Sequence, residues 1–145
     1  MSLKLHVSVI LVVFVTFGFN QSTVAQQNTN YQRDINFKDL KELYFEVNQG
    51  YKEYPLNEER KAIYEERLKR TKYCLLEEVA DQQIQKISSL YLFNKLNPSL
   101  KMDFSINDIN QLNPLKYSFN YYSDKDLFYL IDETNFVIII KAVSK

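Results

Sequence analysis

The chain has 145 residues, in which 18 basic side chains are balanced by 18 acidic ones. It lacks the basic face that nucleic-acid-binding proteins show, because glutamates lie around its one basic cluster, residues 67–72, so we expect no nucleic-acid partner. Only two glycines are present, whereas the loops that hold nucleotide phosphates need several. We therefore expect no cofactor.

The N-terminus is typical of an export signal. Lys4 gives a positive start, residues 7–19 form an almost unbroken apolar run, and residues 23–25 (Thr-Val-Ala) offer a cleavage site before Gln26. The apolar run is shorter than the about 20 residues that a membrane-spanning helix needs. We predict a signal peptide at residues 1–25 and no membrane span after its cleavage, and the alternative is an N-terminal anchor that stays attached.

Removal of residues 1–25 would also remove His6, the only histidine. Catalysis by Ser-His-Asp or Cys-His groups and zinc sites with histidine ligands are then excluded. Cys74 is the only cysteine, so the chain forms no internal disulfide and offers no thiol near the cut for a lipid. Because no usable glycosylation sequon is present either, the pattern favours a bacterial periplasmic or extracellular location over a eukaryotic secretory one.

The mature chain divides into a polar lead-in and one domain. Residues 26–35 are rich in Gln and Asn and predict a disordered lead-in. About 120 residues suffice for one unaided domain, which we place at residues 36–145. Asn36 can cap a first helix that carries apolar residues at steps of three and four and ends at Gly50.

A second helical segment is predicted after Pro55. Asn57 precedes Glu58 and Glu59, an order that favours a helix start. No proline or glycine follows until residue 98, and the apolar stripe changes phase near Asp81. The pattern therefore predicts helical structure up to residue 96, as one helix or as two.

From residue 97 the pattern becomes mainly that of β-structure. Alternation predicts strands over residues 100–105 and 117–121, with a short helix between them that ends before residue 113. Residues 127–131 predict a further strand, and Phe136–Ile140 is apolar at every position, as in a central strand covered on both faces. We expect an α+β fold in which a helical N-terminal half, residues 36–96, packs on an antiparallel meander of three or four strands, residues 97–145.

Catalytic and metal-binding candidates are weak. Cys74 lies in a predicted helix without a base nearby, which indicates an inert thiol, with an intermolecular disulfide as the alternative. Adjacent glutamates on a helix point about 100° apart, so they cannot face each other across a substrate. The acidic turns at residues 124–126 and 132–133 lack the ligand spacing of a calcium loop. We predict no catalytic residue and no metal site.

Aromatic residues are the one compositional excess, with 11 tyrosines and 10 phenylalanines but no tryptophan. They form either stabilising pairs within the predicted sheet or a recognition surface, because tyrosine offers large, stiff and amphipathic contact area. Tyr122 is out of phase with Tyr117, Phe119 and Tyr121 and should point outward. Tyr122 is therefore the candidate contact residue.

These observations favour a small exported, non-enzymatic binding or interaction protein of a bacterial envelope. Its partner would be another envelope protein, a peptide or a glycan, bound through the aromatic residues of the sheet. The first alternative is a hydrolase that uses carboxylates on envelope polymers. The second is a structural component of the envelope.

Overall fold

The computed structural model describes residues 31–49 and 57–143. Within them the chain has an α+β fold with two α-helices, α1 at Leu40–Val47 and α2 at Glu58–Arg70. Five strands form one sheet: β1 at Arg33–Asp34, β2 at Thr71–Leu75, β3 at Ile84–Lys86, β4 at Leu127–Leu130 and β5 at Phe136–Ile140.

The sheet has the order β1-β2-β5-β4-β3, and β5 is its central strand, as predicted. All pairs are antiparallel except β3 and β4, which run parallel. Ile138 lies opposite Tyr73 on one side and Tyr129 on the other. Residues 137–140 have no solvent exposure at all, because both faces of β5 are covered.

Two hydrophobic clusters cover the two faces. Ile138 and Ile140 contribute to the larger cluster, which the connection from β3 to β4, residues 87–126, closes with aromatic side chains. Val137 and Ile139 point the other way and join a smaller cluster with Cys74 and its neighbours. Since side chains alternate along a strand, one apolar run supplies both clusters.

The predicted helical N-terminal half is wrong. α2 ends at Arg70, and Thr71–Leu75 is β2, which is paired along its whole length with β5 and also with β1. Three of the five strands thus precede residue 97. The absence of proline and glycine permits a helix but does not require one, and pairing with the central strand outweighs helix propensity here.

The predicted antiparallel meander of three or four strands is also wrong, because the sheet is mixed and has five strands. Neither residues 100–105 nor residues 117–121 form a strand of it. Along the second segment the alternating burial is present, but its pairing is limited to one bridge between Leu92 and Tyr117. The short helix between them is a 3-10 turn, Ile109–Gln111, capped by Asp108.

The start signals of the two helices are only partly as predicted. Asn57 caps α2 by accepting a hydrogen bond from the Arg60 N–H at 2.9 Å, as expected. α1, however, is capped by Asp39 and not by Asn36. Arg33–Asp34 is a strand although it falls in the segment expected to be disordered. The predicted signal peptide, residues 26–30, Gly50 and Pro55 lie outside the described residues.

Candidate functional site

A cavity of about 330 Å³ opens where the two helices meet the long connection between β3 and β4. α1 and its C-cap contribute one side of the cavity, and α2 contributes a second. Two stretches of the connection, near residues 93–96 and 114–121, close the rest. The described lining residues are Tyr44, Val47, Asn48, Tyr64, Arg67, Phe93, Lys95, Leu96, Pro114, Leu115, Tyr117 and Tyr121. We call this site the aromatic pocket.

The helical side of the aromatic pocket follows from the amphipathic pattern of α1. Leu43 and Val47 are buried and fix that helix against the body of the protein. Tyr44 then lies beside the pocket, and its ring meets the ring of Tyr64 on α2 edge to face, with 6.3 Å between the ring centroids. Such a geometry is favoured by the quadrupoles of the rings.

The opposite side contains Tyr117 and Tyr121, whose hydroxyl groups are held within the fold. Tyr117 accepts a hydrogen bond from the Asp103 N–H at 2.6 Å and donates to the Asp103 carboxylate at 3.2 Å. The hydroxyls of Tyr121 and Thr71 are 3.1 Å apart. Thr71 donates its own proton to the Arg67 carbonyl, so Tyr121 is the donor. The two rings are therefore fixed in orientation.

A buried ionic network ties α1 to the turn Pro114–Lys116 behind the pocket. The Nζ of Lys116 lies 2.6 Å from a carboxylate oxygen of Glu46 and 2.6 Å from one of Asp103. Asn113 donates to the Leu43 carbonyl and to the Glu46 carboxylate, each at 2.9 Å. The network positions the Pro114–Lys116 side of the pocket relative to Tyr44 and Val47.

The charges in this network follow from its hydrogen bonds. Burial acts to raise the pKa of Glu46, but hydrogen bonds from Lys116 and Asn113 outweigh it and lower that pKa below 4.5. Burial likewise acts to lower the pKa of Lys116, and its bonds to Asp103 and Glu46 outweigh that effect and raise it. Glu46 and Asp103 are thus both bound to Lys116, and none of the three residues lines the pocket.

Arg67 is one of two cations that line the pocket. Its guanidinium carbon lies 5.3 Å from the ring centroid of Tyr121 and 5.8 Å from that of Tyr64, both within cation–π distance. Its Nη2 also donates to the Tyr122 hydroxyl at 3.2 Å. Tyr122 is 81% exposed, as its phase in the sequence predicted, and it lies in a turn rather than on a strand. It is not a lining residue of the pocket and is connected to it through Arg67.

The described lining of the pocket is mostly aromatic or aliphatic. Among its described lining residues there is no aspartate, glutamate, histidine, serine or cysteine. Burial raises the pKa of Tyr121 to about 12, and burial also raises that of Tyr117, so both phenols stay neutral at ordinary pH. Their rings therefore contribute area and shape rather than proton transfer.

The other residues considered from the sequence lie elsewhere and have structural partners. Cys74 is fully buried in β2, a strand rather than the predicted helix, and burial raises the pKa of its thiol to about 11. Asp126 binds Lys141, and Asp132 accepts hydrogen bonds from the backbone and hydroxyl of Ser88. In the described ranges, no group of three or more acidic, cysteine or histidine side chains is placed to hold a metal ion.

A second polar cluster lies at the turn between β4 and β5. Ser105 and Glu133 both have positive φ, at 51° and 60°, and the Ser105 hydroxyl donates to the Glu133 carboxylate. The left-handed conformation of Glu133 belongs to the turn that joins the two strands, which the sequence signalled at residues 132–135. The cluster is thus explained by the hairpin.

Sequence reasoning did not find the aromatic pocket. It identified Tyr117 and Tyr121 as aromatic neighbours and singled out Tyr122, but it gave no role to Tyr44, Tyr64 or Arg67 as a group. The available signal was the pair Tyr64 and Arg67, three residues apart on one helix face. Their approach to the long connection depends on tertiary packing.

The chain matches no family model, no curated protein and no solved structure in the three comparisons made. Over residues 31–49 and 57–143, neither helix is long and apolar enough to cross a bilayer. The lining residues of the aromatic pocket are therefore the main indication of function.

Proposed function

We propose that the protein is a small exported binding protein without catalytic activity and that its ligand occupies the aromatic pocket. One observation carries the proposal. Five aromatic rings and two cations surround a cavity of about 330 Å³, and its described lining has no carboxylate, imidazole, serine hydroxyl or thiol. Sites for small molecules have this character, with mostly apolar walls and a few polar groups that fix orientation.

The rigidity of the pocket supports this proposal. Tyr117 and Tyr121 keep their hydroxyls on Asp103 and Thr71, so their rings are ordered before any ligand arrives. The network around Lys116 holds the adjacent turn in the same way. Binding to ordered walls avoids the entropy cost of immobilising side chains.

The proposed hydrolase alternative has less support. A glycoside hydrolase needs two carboxylates about 5 to 10 Å apart on either side of an open site. Glu46 and Asp103 do approach each other, but both bind Lys116 and neither lines the pocket. Hydrogen bonds from Lys116 and Asn113 lower the pKa of Glu46, so this carboxyl is not suited to be the protonated acid that the reaction requires.

A matched pair of phenylalanine variants tests the proposal. Phe93 lines the pocket and Phe104 does not, and both are 44% exposed. With 2-naphthamide as a neutral aromatic probe, we expect saturable binding with a Kd below about 1 mM. Phe93→Ala should weaken it about fivefold, since an aromatic contact contributes about 1 kcal/mol, whereas Phe104→Ala should leave it unchanged.

Probe fluorescence can follow this binding directly, because the chain has no tryptophan to compete with naphthalene. Absence of saturable binding, or equal loss in both variants, would refute a ligand site in the pocket. The structural role in an envelope would then be the better proposal.

Export is a separate part of the proposal. It is supported by the apolar run at residues 7–19 and the small residues at 23–25. We expect the intact mass of the exported protein to correspond to a chain that begins at Gln26. A membrane-bound species that retains Met1 would contradict cleavage and favour an uncleaved anchor.

A further inference from the structure

Arg67 lies beside the aromatic pocket without an ion-pair partner in the described part of the chain. The residues three and four positions away along the chain are not acidic: Ile63, Tyr64, Arg70 and Thr71. A guanidinium has five N–H donors, and of these one is donated to Tyr122. By contrast, Arg33 and Lys116 each bind a carboxylate.

A second cation, Lys95, lines the same pocket from the connection between β3 and β4. It is exposed, and no carboxylate of the described residues lies within ion-pair distance of it. The described lining therefore carries two positive charges and no negative charge. This arrangement favours an anion and disfavours a cationic ligand.

The remaining lining residues indicate what the uncharged part of a bound anion should look like. Tyr44 and Tyr64 meet edge to face, and Tyr117 and Tyr121 present fixed rings from the other side. Flat apolar or aromatic groups pack well against such walls. A cavity of about 330 Å³ suits a small molecule or one large side chain rather than a folded segment.

We infer that the aromatic pocket binds a small organic carboxylate with a flat apolar body, and that the Arg67 guanidinium binds the carboxylate. This inference rests on the proposed function and deepens it. The planar fork of arginine matches the two oxygens of a carboxylate, and a charge-assisted bond of this kind is stronger than a neutral one. Lys95 would add a longer-range attraction.

Three probes that share a naphthalene ring test the inference with the full mature chain: 2-naphthoate, neutral 2-naphthamide of nearly the same shape, and cationic 2-naphthylmethylammonium. We expect 2-naphthoate to bind about tenfold more tightly than 2-naphthamide, because only the anion offers two charged oxygens to the guanidinium. The cation should bind most weakly, because it has no acceptor and is repelled by Arg67 and Lys95. The preference should decrease as salt is added.

Arg67→Gln should make 2-naphthoate and 2-naphthamide bind equally while 2-naphthamide keeps its affinity. Arg60→Gln is the matched control, because Arg60 is an exposed residue of the same helix that does not line the pocket, and it should keep the preference. Unfolding midpoints of both variants establish that they are folded.

The outcomes separate the two proposals. If the amide and the carboxylate bind equally to the wild-type chain, the inference about the anion is overturned and the proposed function stands. If no probe binds, the proposed function itself fails. If Arg60→Gln also lost the preference for 2-naphthoate over 2-naphthamide, the preference would come from overall charge. The role of Arg67 would then be overturned.

Discussion

β5 and the segment of residues 117–121 both contribute buried side chains to the core, but they are held in different ways. β5 has a strand on each side and is covered on both faces. Residues 117–121 alternate between buried and exposed, yet their strand pairing is one bridge, and side-chain hydrogen bonds fix Tyr117 and Tyr121.

We infer from this difference that β5 contributes mainly to stability, whereas the segment of residues 117–121 contributes to the recognition surface. A central strand gains both ladder hydrogen bonds and apolar burial. A polar or smaller side chain at almost any of its positions therefore lowers the stability of the fold. A segment held by its side chains leaves room for a cavity beside it, and its ring orientations depend on a few polar partners. Function is more readily built on the second kind of region.

The largest effect is expected in β5. Ile138→Asp and Ile139→Asp place a charge in opposite faces of the sheet, each fully buried. Each should reduce the free energy of unfolding by more than about 4 kcal/mol, because an unpaired buried charge is so costly. Val143→Asp, at an exposed position beyond the strand, is the control in urea denaturation. Tolerance of either buried aspartate would mean that one face of β5 is open.

The next largest effect is expected in the network behind the pocket. Lys116→Met removes a lysine whose side chain is 7% exposed and leaves Glu46 and Asp103 without their common partner. We expect a loss of about 3 kcal/mol, the low end for a buried ion pair, because Asp103 is 10% exposed and loses its cation, whereas Glu46 is 39% exposed and can be solvated. Lys61→Met breaks a pair with Glu65 at 43% exposure and should cost less than about 0.5 kcal/mol. Equal losses in the two denaturation curves would contradict a buried network.

Acid should weaken the same network in a defined direction. The pKa of Glu46 is below 4.5 in the folded protein, so its stabilising contribution is complete above pH 4.5. That contribution is lost as the pH falls from 4.5 through the lowered pKa. Lys116 shows the opposite dependence, because its raised pKa gives stability that is lost only as the pH rises above 10.5.

Glu46→Gln should therefore make the unfolding free energy fall less steeply below pH 4.5, and Glu65→Gln should not. Glu65 is the control because it is an exposed glutamate of α2 outside the network. Some acid dependence will persist in both, since Arg33 holds the pKa of Glu78 at about 2. Unfolding curves between pH 2 and pH 6 measure how the unfolding free energy depends on pH. If this dependence were the same in Glu46→Gln as in the wild type, the lowered pKa of Glu46 would be contradicted.

The smallest effect on stability is expected at Tyr122. Because its side chain is 81% exposed, Tyr122→Ala should change the unfolding free energy by less than about 0.5 kcal/mol. Its hydroxyl accepts from Arg67, so the same variant should alter the affinity for 2-naphthoate about two- to threefold. A change in stability without a change in affinity would make Tyr122 a structural residue and not part of the site.

The sequence by itself determined those features that depend on near neighbours in the chain. An unbroken apolar run made Phe136–Ile140 the central strand, and Asn57 ahead of two glutamates marked the start of α2. Alternation gave the burial phase of residues 117–121 and the exposure of Tyr122. Each of these signals is local, because side-chain period and capping act over a few residues.

Only the tertiary structure decided the rest. Residues 71–75 have no breaker and continue from a helix, yet they become β2 because β5 offers a complete ladder to pair with. The aromatic pocket likewise brings together Tyr44, Arg67, Phe93 and Tyr117 from separate parts of the chain. Such contacts depend on long-range pairing and on the buried charges around Lys116, and no short-range pattern encodes which distant segments will meet.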